Sequence, residues 1–324
     1  MQGMMAEKAK ELLQNGTVNR VLGWKRGEFA YDSIPAVFET VEEIDAEFIY
    51  DDFCASNLSK YLIKESRKEG KVLAFLKPCD TYSFNQLIKE HRIWRDRVYI
   101  VGIPCDGKAN ADALKELGVK GILGIESEGD NFVMHTLYGD KTVAKADALA
   151  ERCVNCKSKK HVAYDELMGE EGEVQENNRF DMVEKLEAMT SEERFNFWRG
   201  ELSRCIRCNA CRNICPACSC ENCVFDNDKS GIANKAAADS FEENMFHIIR
   251  AFHVAGRCTD CGECSRVCPQ NIPLHLLNRK FIKDINEFYG NYQAGEDTDS
   301  RAPLNIYNTE DVEPSVVYTK GGDK

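Results

Sequence analysis

Residues 205–216 read Cys-Ile-Arg-Cys-Asn-Ala-Cys-Arg-Asn-Ile-Cys-Pro, and residues 258–269 repeat the cysteine spacing as Cys-Thr-Asp-Cys-Gly-Glu-Cys-Ser-Arg-Val-Cys-Pro. Both segments have the pattern C-x2-C-x2-C-x3-C-P, with which bacterial ferredoxins hold 4Fe-4S clusters. In that arrangement the first three cysteines bind one cluster, and the fourth binds the other cluster of the pair. The sequence therefore predicts two crossed ligand sets, Cys205, Cys208, Cys211 and Cys268 for the first cluster and Cys258, Cys261, Cys264 and Cys215 for the second.

Zinc is the alternative metal, because paired C-x2-C motifs also build zinc sites. A zinc site needs only four ligands, so the duplicated fourth cysteine with its proline has no role in it. Iron–sulfur is therefore the favoured interpretation. A zinc-stabilised interaction protein is kept as an alternative for the whole chain.

Composition sets the class of protein. The 324 residues are enough for two domains, and a hydrophobic fraction of 43% is enough for ordinary cores. Sixteen cysteines, many in C-x2-C groups, indicate metal rather than disulfides, and thiolate ligands require a reducing compartment. We therefore expect a cytoplasmic protein.

Two partner classes are not expected. A net charge of −12 disfavours nucleic acid, whose phosphates bind basic surfaces. No apolar run approaches the roughly 20 residues of a membrane helix, so no membrane insertion is predicted. Residues 1–11 are of mixed charge and do not resemble a signal peptide.

Residues 1–165 alternate strand and helix patterns. The apolar runs 71–76 and 97–103 are each followed by a helical pattern, which is typical of βαβ units with a mostly parallel sheet. Residues 166–190 are expected to be a linker and 191–290 a helical, ferredoxin-like dicluster domain of the α+β class. The polar segment 291–324 is expected to be an extended or disordered tail.

A third metal site is predicted in the amino-terminal half. Cys79 and Cys105 follow two neighbouring strands, and the carboxyl edge of a parallel sheet is where sites are built. With Cys153 and Cys156 they supply four thiolates for a further 4Fe-4S cluster. Structural zinc at Cys153 and Cys156, or unliganded thiols, are the alternatives.

Other residues have weaker patterns. Cys218, Cys220 and Cys223, completed by Cys54 or a partner chain, are a possible further cluster site, and a zinc knuckle or buried thiols are the alternatives. Lys77, Asp80 and Asp106 flank the strand-end cysteines and are candidate flavin or substrate contacts. No glycine-rich nucleotide loop is recognisable. His91, His135, His247 and His253 are expected to be surface or hydrogen-bonded core residues.

The motifs Lys77-Pro78-Cys79-Asp80, Pro104-Cys105-Asp106-Gly107 and Cys153-x2-Cys156, together with the two ferredoxin motifs, resemble one family. The chain is similar to the beta subunits of deazaflavin-reducing hydrogenases and of formate dehydrogenases, in the branch with an appended ferredoxin domain. The resemblance spans about residues 15–285. It implies an α/β domain with FAD and one 4Fe-4S cluster, joined to a two-cluster module.

The resemblance also implies hydride exchange at FAD and electron transfer to catalytic and electron-transfer subunits of an anaerobic redox complex. The span between Cys105 and Cys153 is short for family members that reduce the deazaflavin. The hydride partner, whether deazaflavin, NAD or neither, is therefore left open, as is the complex itself: formate dehydrogenase, hydrogenase or heterodisulfide-reductase-like. We expect an iron–sulfur flavoprotein subunit, and the alternative is a non-catalytic electron wire without flavin.

Overall fold

The computed structural model describes residues 1–157, 160–173, 178–227 and 240–306. It divides the chain into two compact units, Met1–Asn177 and Asn178–Lys324. We refer to them as the amino-terminal unit and the dicluster unit. Among the described residues, no helix combines the length and apolar character needed to cross a bilayer.

The amino-terminal unit is built on a six-stranded sheet. Its strands are β1 (Arg20–Arg26), β2 (Ser33–Phe38), β3 (Phe48–Ile49), β4 (Val72–Leu76), β5 (Val98–Gly102) and β9 (Glu166–Leu167). β1, β4, β5 and β9 are parallel neighbours, whereas β2 and β3 pair with β1 in the antiparallel sense. Every residue of β4 is buried, as expected for a strand covered on both faces. The predicted mostly parallel sheet is confirmed.

Seven α-helices belong to this unit in the described residues. They are α1 (Gln2–Gln14), α2 (Val41–Glu47), α3 (Leu62–Glu65), α4 (Pro78–Lys89), α5 (Ala111–Glu116), α6 (Lys145–Ala148) and α7 (Glu151–Val154). α4 begins with Pro78, whose fixed φ and missing N–H suit the first position of a helix. This helix start places Cys79 directly beyond the carboxyl end of β4.

A second, smaller sheet is antiparallel. It consists of β6 (Ile122–Glu128), β7 (Asn131–Thr136) and β8 (Lys141–Ala144) in sequence order. Phe132 and Met134 from β7 pack with Leu114 of α5 in a separate apolar cluster. The β patterns at 121–125 and 132–137 predict the first two strands. β8 has no such signal, because its sequence Lys-Thr-Val-Ala is almost entirely exposed.

The dicluster unit is helical in its described residues, where no strand is found. Its α-helices are α8 (Asp181–Ala188), α9 (Ser191–Leu202), α10 (Ala210–Ile214), α11 (Ser240–His253), α12 (Glu263–Arg266) and α13 (Leu274–Tyr289). A capping box starts α9: Thr190 accepts from the Glu193 amide at 3.2 Å, and Glu193 accepts from the Thr190 amide at 2.8 Å. This helix leads directly to Cys205.

The unit boundary lies within the stretch 166–190 that the sequence marks as a linker. That stretch also contains β9 and α8. Residues 291–306 of the expected tail pack on the dicluster unit rather than extending away from it, and Gln293, Ala294 and Ala302 are buried. The side chain of Asn286 holds the start of this segment, accepting from the Tyr292 amide at 3.0 Å. Residues 307–324 lie outside the described residues.

Candidate metal centres

The two cysteine loops of the dicluster unit share one backbone conformation. Arg207 and Asn209, two and four positions after Cys205, have φ of 54° and 62°. Asp260 and Gly262, at the same positions after Cys258, have φ of 60° and 66°. Left-handed backbone is strained for residues other than glycine, so its recurrence at matching positions marks a shape that the loop requires.

The same turns direct backbone N–H groups at the cysteine sulfurs. Cys205 Sγ accepts from the Arg207 amide at 3.4 Å, and Cys258 Sγ accepts a hydrogen bond from the Asp260 amide. Concave nests of N–H groups built from left-handed and right-handed residues bind anions, including iron–sulfur clusters. The residues of both loops therefore fit a cluster by their backbone as well as by their thiols.

Buried ion pairs hold the second loop in place. Asp260 pairs with Arg279 at 2.8 Å and with Arg179 at 3.3 Å, and all three side chains are 10% exposed or less. Glu263 is fully buried and receives two hydrogen bonds from Arg266, at 2.7 and 2.9 Å. The loop is thus preorganised by contacts outside its cysteines.

Cys211 lies near Cys205 and Cys268, the first and last members of the predicted first ligand set. Burial raises the pKa of Cys211 to about 12; Arg250 opposes this shift, and the thiols of Cys264, Cys205 and Cys268 add to it. Cys264 and Cys268 both belong to the second motif, and the crossed assignment places Cys268 in the same ligand set as Cys211. Cys208, the remaining member of the set, is exposed.

Cys215 lies beside the second loop. Burial raises the pKa values of Cys258, Cys261 and Cys264, and the Cys215 thiol contributes to the rise of all three. The fourth cysteine of each motif is therefore near the triplet of the other. Ligation of iron by these eight residues stays a prediction.

In the described ranges, no three His, Cys, Asp or Glu side chains lie close enough together to hold a single metal ion. A 4Fe-4S cluster places a different demand on its ligands. Its thiolates are distributed over a cube, so they do not converge on one ion.

Two buried polar residues of α11 face this region. His247 and Arg250 are each 1% exposed, and His247 Nε2 is 3.2 Å from Cys205 Sγ. Within the residues that the structure describes, His247 Nδ1 and Arg250 Nε and Nη1 are buried without a hydrogen-bond partner. This corrects the expectation that His247 is a surface or fully hydrogen-bonded residue. The available signal was spacing, since His247, Arg250 and Val254 recur on one helical face.

In the amino-terminal unit, β-sheet register brings two cysteines to one edge. β4 and β5 are parallel with Leu76 opposite Gly102, so Cys79 and Cys105 follow adjacent strand ends. Burial raises the pKa of Cys79 well above its usual range, with further contributions from Asp80, Cys156 and Cys105.

The loop after Cys105 also approaches Cys153. A Cβ added at Gly107 would lie 3.5 Å from the Cys153 Cβ, and Gly107 has a φ of 111° that favours glycine. The fold therefore gathers the four thiols that the sequence proposes for a third cluster. Their ligation of iron stays a prediction.

Lys77 and Asp80, two of the candidate flavin contacts, are bonded to each other. Lys77 Nζ lies 2.9 Å from Asp80 Oδ2, and their side chains are 2% and 0% exposed. Lys77 also donates to the Ser56 carbonyl at 2.9 Å and lies 4.5 Å from the ring centroid of Trp24. Asp106, the third candidate, is exposed.

Lys108 is a second buried lysine at this edge, and no sequence motif predicted it. Its Nζ donates to the Asp51 carbonyl at 3.1 Å and lies 4.3 Å from the Tyr50 ring centroid. Burial raises the pKa of Tyr50 to about 12, against the opposing charge of Lys108. Lys108 and Lys77 therefore place two cations close to the strand-end cysteines.

His161 ties the two strand ends together. Its Nε2 lies 3.1 Å from the carbonyl oxygens of both Leu76 and Ile103, so this nitrogen is the protonated donor. Its Nδ1 is 3.2 Å from Glu171 Oε1. Sequence reasoning did not single out His161, because nothing in its local sequence marks it.

The remaining cysteines are dispersed. Cys54 is fully buried in the main core, and burial raises its pKa to about 12. Cys218 packs beside Cys215 and Cys258, Cys220 is exposed, and Cys223 belongs to a different apolar cluster. A further site at Cys218, Cys220 and Cys223 stays a prediction.

Comparison with known proteins agrees with these features. Residues 201–272 match the family described as 4Fe-4S dicluster domain. The chain is 25% identical to the F420-dependent formate dehydrogenase subunit beta of Methanocaldococcus jannaschii, over 92% of both chains. It is also 25% identical to the F420-dependent formate dehydrogenase 1 subunit beta of Methanococcus maripaludis, over 91% of both.

Among solved structures, a chain of the F420-reducing [NiFe] hydrogenase complex from Methanosarcina barkeri matches 48% of this chain and 59% of its own length. The match has 19% identity and a TM-score of 0.39. The resemblance to formate dehydrogenase beta subunits rests on the two sequence relatives. With them, the predicted class, an iron–sulfur electron-transfer subunit of an oxidoreductase, is confirmed.

Proposed function

We propose that this chain is the subunit of a cytoplasmic oxidoreductase complex that connects hydride chemistry at FAD to one-electron transfer through 4Fe-4S clusters. The observation that carries the proposal is the pair of matching cysteine loops, with identical left-handed positions and matching N–H to sulfur hydrogen bonds. Such a loop pair is suited to two clusters in electron-transfer proximity, and clusters move one electron at a time.

In this proposal the two clusters take crossed ligands. Cys205, Cys208, Cys211 and Cys268 hold the first, while Cys258, Cys261, Cys264 and Cys215 hold the second. The support is the position of each fourth cysteine beside the triplet of the other loop.

A third cluster would be held by Cys79, Cys105, Cys153 and Cys156 in the amino-terminal unit. Its support is the parallel register of β4 and β5 and the approach of Gly107 to Cys153. The ammonium group of Lys108 offsets part of the negative charge that four thiolates bring to this edge, whereas the charge of Lys77 is balanced by Asp80.

The proposal that the chain binds a flavin is supported by the family resemblance and not by a group of side chains arranged to contact it. Lys77 and Asp80 do not fit as flavin contacts, since each is buried and occupied by the other. Asp106 is exposed and stays the candidate. When bound, FAD accepts a hydride, which carries two electrons and one proton, and releases the electrons singly.

Partner subunits follow from the relatives. Both are named as beta subunits of F420-dependent formate dehydrogenases, so we propose a catalytic subunit that oxidises formate, or a comparable two-electron donor, as the partner. The deazaflavin is the hydride partner that these names favour. Formate oxidation to carbon dioxide releases two electrons, which balances reduction of the deazaflavin by one hydride equivalent.

The second candidate function is an electron wire without flavin. The buried ion pair between Lys77 and Asp80 favours this function, because two of the three polar groups expected to contact the flavin are bonded to each other instead. In that case the amino-terminal unit would carry a cluster and bind neighbouring subunits.

The test is flavin released by acid from full-length chain purified without oxygen, expressed per chain. About one FAD per chain supports the flavoprotein subunit, and reduction of that flavin by the reduced deazaflavin, but not by NADH, identifies the hydride partner. Iron and sulfide without flavin contradict the flavoprotein proposal and favour the wire.

A further inference from the structure

Arg250 is a buried cation without a carboxylate. Only 1% of it is exposed, and in the described part of the chain it forms no ion pair with Asp or Glu. A buried guanidinium is costly unless its charge is offset and its donors are used. The surroundings of Arg250 therefore have to supply negative charge and hydrogen-bond acceptors from another source.

Its neighbours are cysteines from both predicted ligand sets. Burial alone would lower the pKa of the Arg250 guanidinium, but the nearby sulfurs of Cys264, Cys211, Cys215 and Cys218 raise it. Cys211 belongs to the first set, and Cys264 and Cys215 belong to the second. Arg250 is thus placed where it meets both candidate clusters rather than one.

Part of its hydrogen-bonding capacity is unused by protein atoms. Arg250 donates to the Cys264 sulfur, but its Nε and Nη1 are buried and have no partner among the described residues. Bound clusters would bring both missing components, negative charge and sulfur acceptors. Hydrogen bonds to cluster sulfurs and nearby charge are two of the factors that set cluster potentials.

We propose that Arg250 is a positioning residue shared by the two clusters, which raises the reduction potentials of both. Adding one electron to either cluster adds one negative charge and transfers no proton. The fixed positive charge of Arg250 lowers the cost of that charge at both sites. This inference rests on the proposed presence of both clusters.

The geometry also gives a reason for arginine rather than lysine. Arginine presents five donors in a planar fork and stays charged, whereas lysine offers one compact point charge. The donors of the guanidinium are spread over three nitrogens, so Arg250 can donate to Cys264 and also present Nε and Nη1 to other acceptors, whereas the three N–H groups of a lysine diverge from one nitrogen.

The test compares Arg250→Gln and Arg250→Lys with the wild-type full-length chain. Iron and acid-labile sulfide are measured first, and the midpoint potential of each cluster is then read by redox titration with electron paramagnetic resonance. For Arg250→Gln we expect both midpoints to become more negative, each by about a tenfold change in the reduction equilibrium or about 59 mV for one electron. For Arg250→Lys we expect shifts in the same direction but smaller.

Arg199→Gln is the matched control. Arg199 is an exposed residue of α9, so the same change of charge there is screened by solvent and should leave both midpoints in place. Unchanged midpoints in Arg250→Gln, or a shift of one cluster only, would overturn the shared role. If Arg250→Gln loses its clusters, Arg250→Lys is titrated instead: a negative shift of both midpoints supports the shared role, and a shift of one or neither overturns it. Absence of clusters from the wild-type chain would instead contradict the proposed function.

Discussion

Lys77 in the amino-terminal unit and Arg250 in the dicluster unit are both buried cations, but only Lys77 has a carboxylate partner among the described residues. Lys77 has a carboxylate at 2.9 Å and a backbone carbonyl at the same distance. Arg250 has two nitrogens that find no partner in the described part of the chain, and a group of cysteine sulfurs lies around it. The difference separates a cation that stabilises the fold from one whose partners are supplied by bound clusters.

The crossed ligand assignment can be tested with single and double cysteine variants. Cys205→Ser and Cys268→Ser should each lose about four irons per chain, and the double variant should lose no more, because both residues serve one cluster. Cys205→Ser combined with Cys215→Ser should lose both clusters. The measurement is iron and sulfide content together with the resonance spectrum of each variant.

Cys220→Ser is the control for this set, since Cys220 is exposed and outside both ligand sets. It should retain both clusters. Additive loss in Cys205→Ser/Cys268→Ser would contradict the crossed assignment, whereas Arg250 would still lie beside cysteines of both motifs.

Breaking the buried ion pair between Lys77 and Asp80 should destabilise the amino-terminal unit. Asp80→Asn leaves the Lys77 ammonium buried and unpaired, which costs about 3–5 kcal/mol. Adding Lys77→Met should recover a large part of that loss. The free energy of opening, from hydrogen exchange of the β4 amides in denaturant, measures both effects.

Asp45→Asn in the same unit is the control. It removes an ion pair with Lys10 in which the Asp45 side chain is 58% exposed, and it should lower the free energy of opening by less than about 1 kcal/mol. If Asp80→Asn costs no more than this control, Lys77 is not stabilised as the geometry indicates.

Removing iron should distinguish the two cations in one experiment. After chelation, Arg250 keeps its burial but loses its proposed partners, so the amides of α11 should exchange about tenfold faster or more. In a Cys153→Ser/Cys156→Ser background, which removes the proposed third cluster beside β4, the β4 amides next to the Lys77–Asp80 pair should change by less than about threefold. Equal acceleration in both elements would show that the pairing within the protein does not decide their stability.

Lys108 is an intermediate case. It is buried, but its carboxylate Asp52 is 3.5 Å away, and the Asp51 carbonyl and Tyr50 ring also contact it. Asp52→Asn should therefore cost only about 1 kcal/mol in the β4 exchange assay. A loss as large as that of Asp80→Asn would place Lys108 in the same class as Lys77.

Local patterns explain what could be predicted from the sequence. The two cysteine loops are contiguous motifs, and the strand ends at Cys79 and Cys105 follow from apolar runs and parallel connection. Asp80 occupies the third position of α4, where it accepts from the Lys77 amide at 3.4 Å. Helix-start rules favour a carboxylate in the first turn, so the hydrogen bond from the Lys77 amide to Asp80 can be predicted from the sequence, whereas the ion pair with Lys77 Nζ cannot.

The residues that were missed act through the tertiary fold. Arg250 lies between the two cysteine loops along the chain and reaches both only after α11 packs. His161 reaches two strand ends more than 50 residues away, and Lys108 contacts residues 50–52. No spacing rule connects such distant positions, and single buried cations carry no sequence motif.

The most direct test of the central claim is the iron, acid-labile sulfide and zinc content of the full-length chain purified without oxygen. Two clusters in the dicluster unit predict about eight irons and eight sulfides per chain, and a third cluster in the amino-terminal unit raises both to about twelve. Stoichiometric zinc without sulfide would contradict the account and leave a zinc-stabilised protein in its place.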